Sequence, residues 1–156
     1  YYRSKDKLFL AVFQFAVRQF LPGIQEMLTS EIPFDEKIRR FVENYINMLL
    51  ENPFVPMFII QEINRDPERL FNALMEAGIR PDQIIQQFRE ASEKGQIRDI
   101  DPTELLINTL SLCIFPFAAK PVMQRLFCEN DEQAYRQFLE NRKKTVSEFI
   151  LNAVRT

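Results

Sequence analysis

The chain has 156 residues, 46% of them hydrophobic and 27% charged, enough for one domain with a sizeable core and too apolar for a disordered chain. A net charge of −2 does not describe a nucleic-acid-binding surface, and no signal peptide or apolar stretch near bilayer length is evident. Histidine is absent, which removes the commonest metal ligand and the commonest general base together and excludes a zinc site or a His-based triad.

Only three glycines and long runs of helix formers point to an all-α protein. Ser4 is placed to cap a first helix from Lys5 to about Phe20, with Asp6 in the first turn, where negative charge favours the helix dipole. Leu8, Val12, Phe15 and Gln19 share one face of it and Phe9, Phe13, Ala16 and Phe20 the next. Pro22-Gly23 is expected to interrupt the helix, with a short amphipathic piece continuing to Ser30. A second helix spans Pro33 to Glu51, with Ile38, Phe41, Val42, Tyr45, Met48 and Leu49 on one face, and Asn52-Pro53 stops it.

Phe54 to Asn64 forms the next segment, and Asp66-Pro67 starts a helix closed by Gly78. Another runs from Pro81 to Gly95, with Ile84, Ile85 and Phe88 inward. Asp101-Pro102-Thr103-Glu104 combines a cap, a proline at the first helical position and an early acid, the cleanest start signal in the chain. That helix is expected to reach about Phe127, kinked or broken by Pro116 and Pro121. Asn130 to Gln133 opens a last helix ending near Val154. With no repeat or linker, residues 1–156 read as a single domain, a helical bundle of about eight or nine segments.

The opening run Tyr1-Tyr2-Arg3-Ser4-Lys5-Asp6-Lys7-Leu8-Phe9 resembles the seam of TetR-family transcriptional regulators, where the recognition helix gives way to the regulatory domain. The family pattern is an aromatic pair, a short turn, Ser-Lys, an acidic residue, then Leu-Phe or Leu-Leu. Gly95 to Ile100 is also similar to the turn such domains place before their penultimate helix. The resemblance implies a cytoplasmic repressor whose effector-binding and dimerisation domain is this chain. Residues 1–5 would be the remnant of a link to a missing N-terminal helix-turn-helix domain that holds double-stranded operator DNA. It further implies phosphate contacts from Tyr2 and Lys5, with Tyr1 beside them.

The family pairs its last two long helices with their copies in a four-helix bundle. Here one stripe is Leu105, Leu106, Thr109, Leu112 and Cys113, and the other is Tyr135, Phe138, Leu139, Arg142, Val146, Phe149, Ile150 and Ala153. Periodicity does not separate an inward stripe from an intersubunit one; the resemblance assigns both to a homodimer interface.

Fifteen phenylalanines exceed what a small bundle needs for packing, so some are expected to line a cavity for a hydrophobic small-molecule effector. The candidate lining is Phe13, Val17, Met57, Phe58, Gln61, Phe88, Leu110, Ile114 and Phe117, each of which could equally pack the core. Gln61, Asn108 and Ser111 are expected to face inward, and Glu62 and Arg65 to be solvated. Cys113 and Cys128 read as free thiols without a base nearby, and no carboxylate pair or glycine-rich phosphate loop stands out. The expectation is therefore no enzyme, no cofactor, no metal and no membrane partner. Two rivals remain at this level: an all-α carrier of a hydrophobic small molecule with no DNA role, and a structural dimerisation module with a filled core.

Overall fold

Proline and aspartate set most of the helix boundaries. The computed structural model describes the backbone of residues 2–156 and the side chains from Ser4 onward. These residues form eight helices and no strand: α1 (Tyr2–Thr29), α2 (Phe34–Glu51), α3 (Phe54–Arg65), α4 (Pro67–Ala77), α5 (Pro81–Glu93), α6 (Pro102–Ala118), α7 (Lys120–Cys128) and α8 (Glu132–Val154). Asp66, Asp101 and Asp131 each cap a helix, their carboxylates accepting backbone N–H groups of Arg69, of Thr103 and Glu104, and of Ala134 at 2.7–3.0 Å. Gly78 closes α4 at φ 100°, a left-handed conformation that favours glycine, and the Ile79 N–H returns to the Leu74 carbonyl at 3.1 Å.

Two boundaries differ from the sequence expectation. First, α1 is continuous from Tyr2 to Thr29, so Ser4 lies inside it rather than capping it, and Pro22 sits within the helix. Proline removes one ladder bond, and the surrounding turns outweigh that loss. Gly23 is a close-approach residue here: a Cβ at that position would stand 2.5 Å from the Asn44 amide on α2. By length and composition alone, Ser4–Thr29 is thus long and apolar enough to cross a membrane, contrary to the reading in which Pro22-Gly23 divides it. In the bundle it serves as a spine, burying Phe13, Ala16, Val17, Ile24 and Met27.

Second, the expected helix from Pro102 to Phe127 is two helices, broken at Ala119 and bent by 76°. Pro116 stays inside α6, while Pro121 sits in the first turn of α7, where it needs no donor.

α2 is the centre of the bundle, packed on α1 along one side and on α8 along the other. Ile38, Val42, Ile46 and Leu49 of α2 are fully buried, as are Leu105 of α6 and Tyr135, Val146 and Leu151 of α8. α6 joins α8 in an antiparallel pair. The Arg98 backbone N–H and guanidinium, just ahead of α6, cap the carbonyls of Val154 and Ala153 at the end of α8, at 2.9 and 2.6 Å.

Candidate functional site

Within α6, Pro116 has no N–H to offer the Leu112 carbonyl four residues back. Arg142 of α8 supplies the missing donor, its Nη2 lying 2.6 Å from that oxygen. Two turns earlier on α8, the Tyr135 hydroxyl donates to the Pro116 carbonyl at 2.5 Å. Thus α8 braces α6 at the two carbonyls where its ladder fails, just ahead of the bend into α7. Arg142 also lies over the Phe138 ring, 6.0 Å from its centroid, while its Nε is buried without a partner. Burial lowers the pKa of Arg142 and raises that of Tyr135, each paying to desolvate its charged form. Neighbouring Cys113 is fully buried and its thiol is pushed up to about 12, so it stays protonated and unreactive at neutral pH. Replacing Tyr135 by Phe strands the Pro116 carbonyl and is expected to lower stability by about 1–2 kcal/mol in urea denaturation.

Beside this brace lies a cleft of about 190 Å³. Leu49, Leu50 and Pro53 at the α2–α3 corner form one wall, with Phe117 of α6 and Leu139 of α8 facing them. Lys120, Glu132 and Arg136 stand at its mouth. Lys120 and Glu132 pair at 2.5 Å, and the lysine holds the Glu132 carboxyl below the usual carboxylate range. Arg136 has no ion-pair partner among the described residues.

The expected effector lining does not gather around one cavity. Phe13 and Phe58 stack in the core with centroids 4.7 Å apart, and Phe88 meets Phe34 edge-on at 5.9 Å. Val17 is buried, Leu110 and Ile114 are half-buried, and Met57 and Gln61 are exposed. Of the nine, Phe117 alone lines the cleft at the bend. Asn108 and Ser111 are exposed as well, so the inward polar positions lie elsewhere. On α3 the buried stripe is Val55, Phe58 and Glu62, which places Glu62 inside at 3% exposure and its neighbour Gln61 outside.

Glu62 anchors a network that sequence reading missed. Its Oε2 accepts from Arg69 Nε at 2.7 Å, Arg69 lies 3.8 Å from Asp6, and Arg65 pairs with Asp6 at 2.5 Å. The base of α1 is thereby tied to α3 and α4. The hydrogen bond from Arg65 holds the Asp6 carboxyl below its ordinary range. A depressed carboxylate contributes stability that is complete above its unfolded value near 4 and is lost as pH falls through the lower folded value. The stability difference between the native chain and Asp6→Asn is therefore expected to be constant above about pH 5 and to shrink as pH falls below the unfolded value near 4. Parallel denaturation series across that range check it.

Most residues of the two helical stripes assigned to a dimer face point inward. Leu105, Leu106, Thr109, Cys113, Tyr135, Leu139, Val146 and Ile150 are buried by their own chain, and Leu112, Phe138 and Arg142 are partly covered. Ala153 is exposed, and Phe149 is 64% exposed. The inward stripes meet α2, which fills the groove between α6 and α8. The exposed large apolar residues of these helices are instead Ile107 and Phe115 of α6, Val122, Leu126 and Phe127 of α7, and Phe149 of α8. A second exposed set, Leu8, Phe9, Val12 and Phe15, runs along α1.

Of the expected phosphate contacts, Tyr1 and the side chain of Tyr2 lie outside the described residues. Lys5 is exposed, its ammonium 5.8 Å from the Phe9 ring. No cluster of three metal-ligating side chains occurs among the described residues. In comparison with known proteins, no family model, curated protein or solved structure matches the chain.

Proposed function

We propose that this chain is the regulatory half of a TetR-type transcriptional repressor, a homodimer that couples a small-molecule effector to operator DNA binding by a preceding helix-turn-helix domain. The observation that carries the reading is the bare apolar surface of α6, α7 and α8. Phe115, Phe127 and Phe149 are 61–73% exposed, and Ile107, Val122 and Leu126 are more than half exposed. At 150–250 Å² per aromatic side chain, the three phenylalanines alone leave on the order of 400 Å² of apolar area, to which Ile107, Val122 and Leu126 add. Side chains of this kind, exposed together on neighbouring helices, are the material from which a stable interface of ~800 Å² per partner is built. A twofold axis through this surface sets α6 and α8 against their copies, the arrangement the resemblance implies, with the contact one helical stripe away from the inward seam.

The apolar set on α1 supports the second part of the reading. Leu8 and Phe9 lie at the end that leads back to Tyr1, where a DNA-reading domain would cover them. The Asp6, Arg65, Arg69 and Glu62 network then fixes the angle at which α1 carries that domain. A ligand that favours one helix arrangement changes the separation of the two reading heads, and it acts only through its differential affinity for the two arrangements. Half-sites about 34–36 Å apart on DNA make that separation decisive.

The experiment uses the chain extended by the N-terminal residues its gene encodes, selected against randomised duplex DNA. Enrichment of inverted repeats about one helical turn apart supports the reading. Recovery without sequence preference overturns it and favours the carrier.

A further inference from the structure

We propose that the cleft at the α6–α7 bend is the effector site and that its ligand is a small amphipathic carboxylate, with an apolar body on Leu50, Pro53 and the edge of Phe117 and its anionic group on Arg136. The inference deepens the sensor reading and rests on it for the word effector; binding itself rests on the cleft alone.

Three observations lead to the ligand class. One wall is apolar and preformed: Leu49 and Leu139 form a buried floor that the core fixes, and Leu50, Pro53 and the edge of Phe117 present the accessible apolar surface above it. The mouth carries two cations against one carboxylate, and the Lys120–Glu132 pair uses one of each. Arg136 makes no direct ion pair among the described residues and acts on Glu132 only at longer range, and its planar guanidinium matches a carboxylate in a two-pronged contact. The third observation is size. A volume of about 190 Å³ corresponds to roughly six waters, which suits a one-ring or short-chain acid rather than a long lipid.

The position gives such a ligand leverage. Phe117 lies in the last turn of α6, Lys120 opens α7, and Arg136 and Leu139 belong to the same helix as the brace residues Tyr135 and Arg142. A carboxylate drawing Arg136 towards the mouth competes with Glu132 for the local cations and loads the α7 end of the hinge. Phe115, Val122, Leu126 and Phe127 lie on the two sides of that hinge. A change in bend angle is therefore a change in the shape of the proposed dimer face.

The test is an NMR titration of the 156-residue chain with benzoate, hexanoate and the neutral comparator benzyl alcohol. Expected are saturable shifts for a carboxylate at Lys120, Arg136, Leu139 and the Leu49–Pro53 corner, at least tenfold tighter than for the alcohol. Arg136→Gln, a change at an exposed position, is expected to abolish that preference, while Glu132→Gln frees Lys120 and tightens carboxylate binding severalfold. No saturable binding of either acid, equal binding of the alcohol, shifts confined to other surfaces, or unchanged affinity in Arg136→Gln overturns the site. Sedimentation of the same samples separates the two proposals. A dimer without the site overturns the site alone, and a monomer with the site intact supports the cleft while overturning the repressor reading.

Discussion

Arg69→Ala is expected to lower stability by about 2–4 kcal/mol, because it leaves the Glu62 carboxylate inside the bundle without its ion-pair partner. Glu62 is 3% exposed, and Arg69 provides both guanidinium contacts to its Oε2 at 2.7 Å. A buried pair contributes little net stability relative to apolar packing, but breaking one side of it leaves an uncompensated charge. The magnitude is set below the range for a fully enclosed pair because Arg69 itself is partly exposed and water can reach the vacated site. Removing the charge as well, in Glu62→Gln with Arg69→Ala, is expected to restore about half of the loss, a coupling that additive surface changes do not show. Urea denaturation of the two single variants and the double variant measures it. A loss below about 0.5 kcal/mol for Arg69→Ala places the network among ordinary surface pairs and removes it as a mount for α1.

Phe115→Asp is expected to dissociate the proposed dimer while leaving the subunit folded. Phe115 is 61% exposed in the subunit, so its removal creates no core cavity. In a twofold interface the substitution appears twice, and each copy replaces an aromatic anchor with a charge that association would have to desolvate. At about 2–4 kcal/mol per anchor, the pair weakens association by roughly three to six orders of magnitude. Leu106→Ala is the informative contrast. Leu106 is buried between helices of its own chain, so its truncation is expected to cost about 2–5 kcal/mol of folding stability before it affects assembly. Circular dichroism and sedimentation on both variants distinguish the two faces. Unchanged assembly of Phe115→Asp alongside dissociation of a folded Leu106→Ala reverses the assignment.

That contrast also marks how far the sequence reaches. Helix starts at Asp66-Pro67, Asp101-Pro102 and Asp131 are legible because cap and proline signals are local, and each reads out within one turn. Pro22 was misleading because the same residue that ends a short helix is tolerated inside a long one whose neighbours hold it. Periodicity found the stripe containing Leu105, Thr109, Leu139 and Val146 but not what covers it, since an inward face and an intersubunit face share one spacing. On α3 a single-position error of phase exchanged Gln61 for Glu62, and with it an exposed amide for a buried carboxylate.

The candidate site was less legible still. Arg65 and Asp6 stand 59 residues apart in sequence, and Leu112 and Arg142 stand 30 apart, so neither pairing leaves a local trace. Pro116 announces that a carbonyl will lack its donor, while the identity of that donor depends on the antiparallel pairing of α6 with α8. The cleft draws on α2, the entry to α3, α6, α7 and α8, and of its residues the sequence nominated only Phe117 for an effector lining, placing Leu49 and Leu139 on packing stripes instead.

The most direct test of the account is the mass of the native chain by sedimentation equilibrium at micromolar concentration. Assembly through the bare surface of α6, α7 and α8 predicts twice the chain's 18.6 kDa, falling to the single mass in Phe115→Asp. A native chain that sediments at 18.6 kDa contradicts the dimer on which the repressor reading stands.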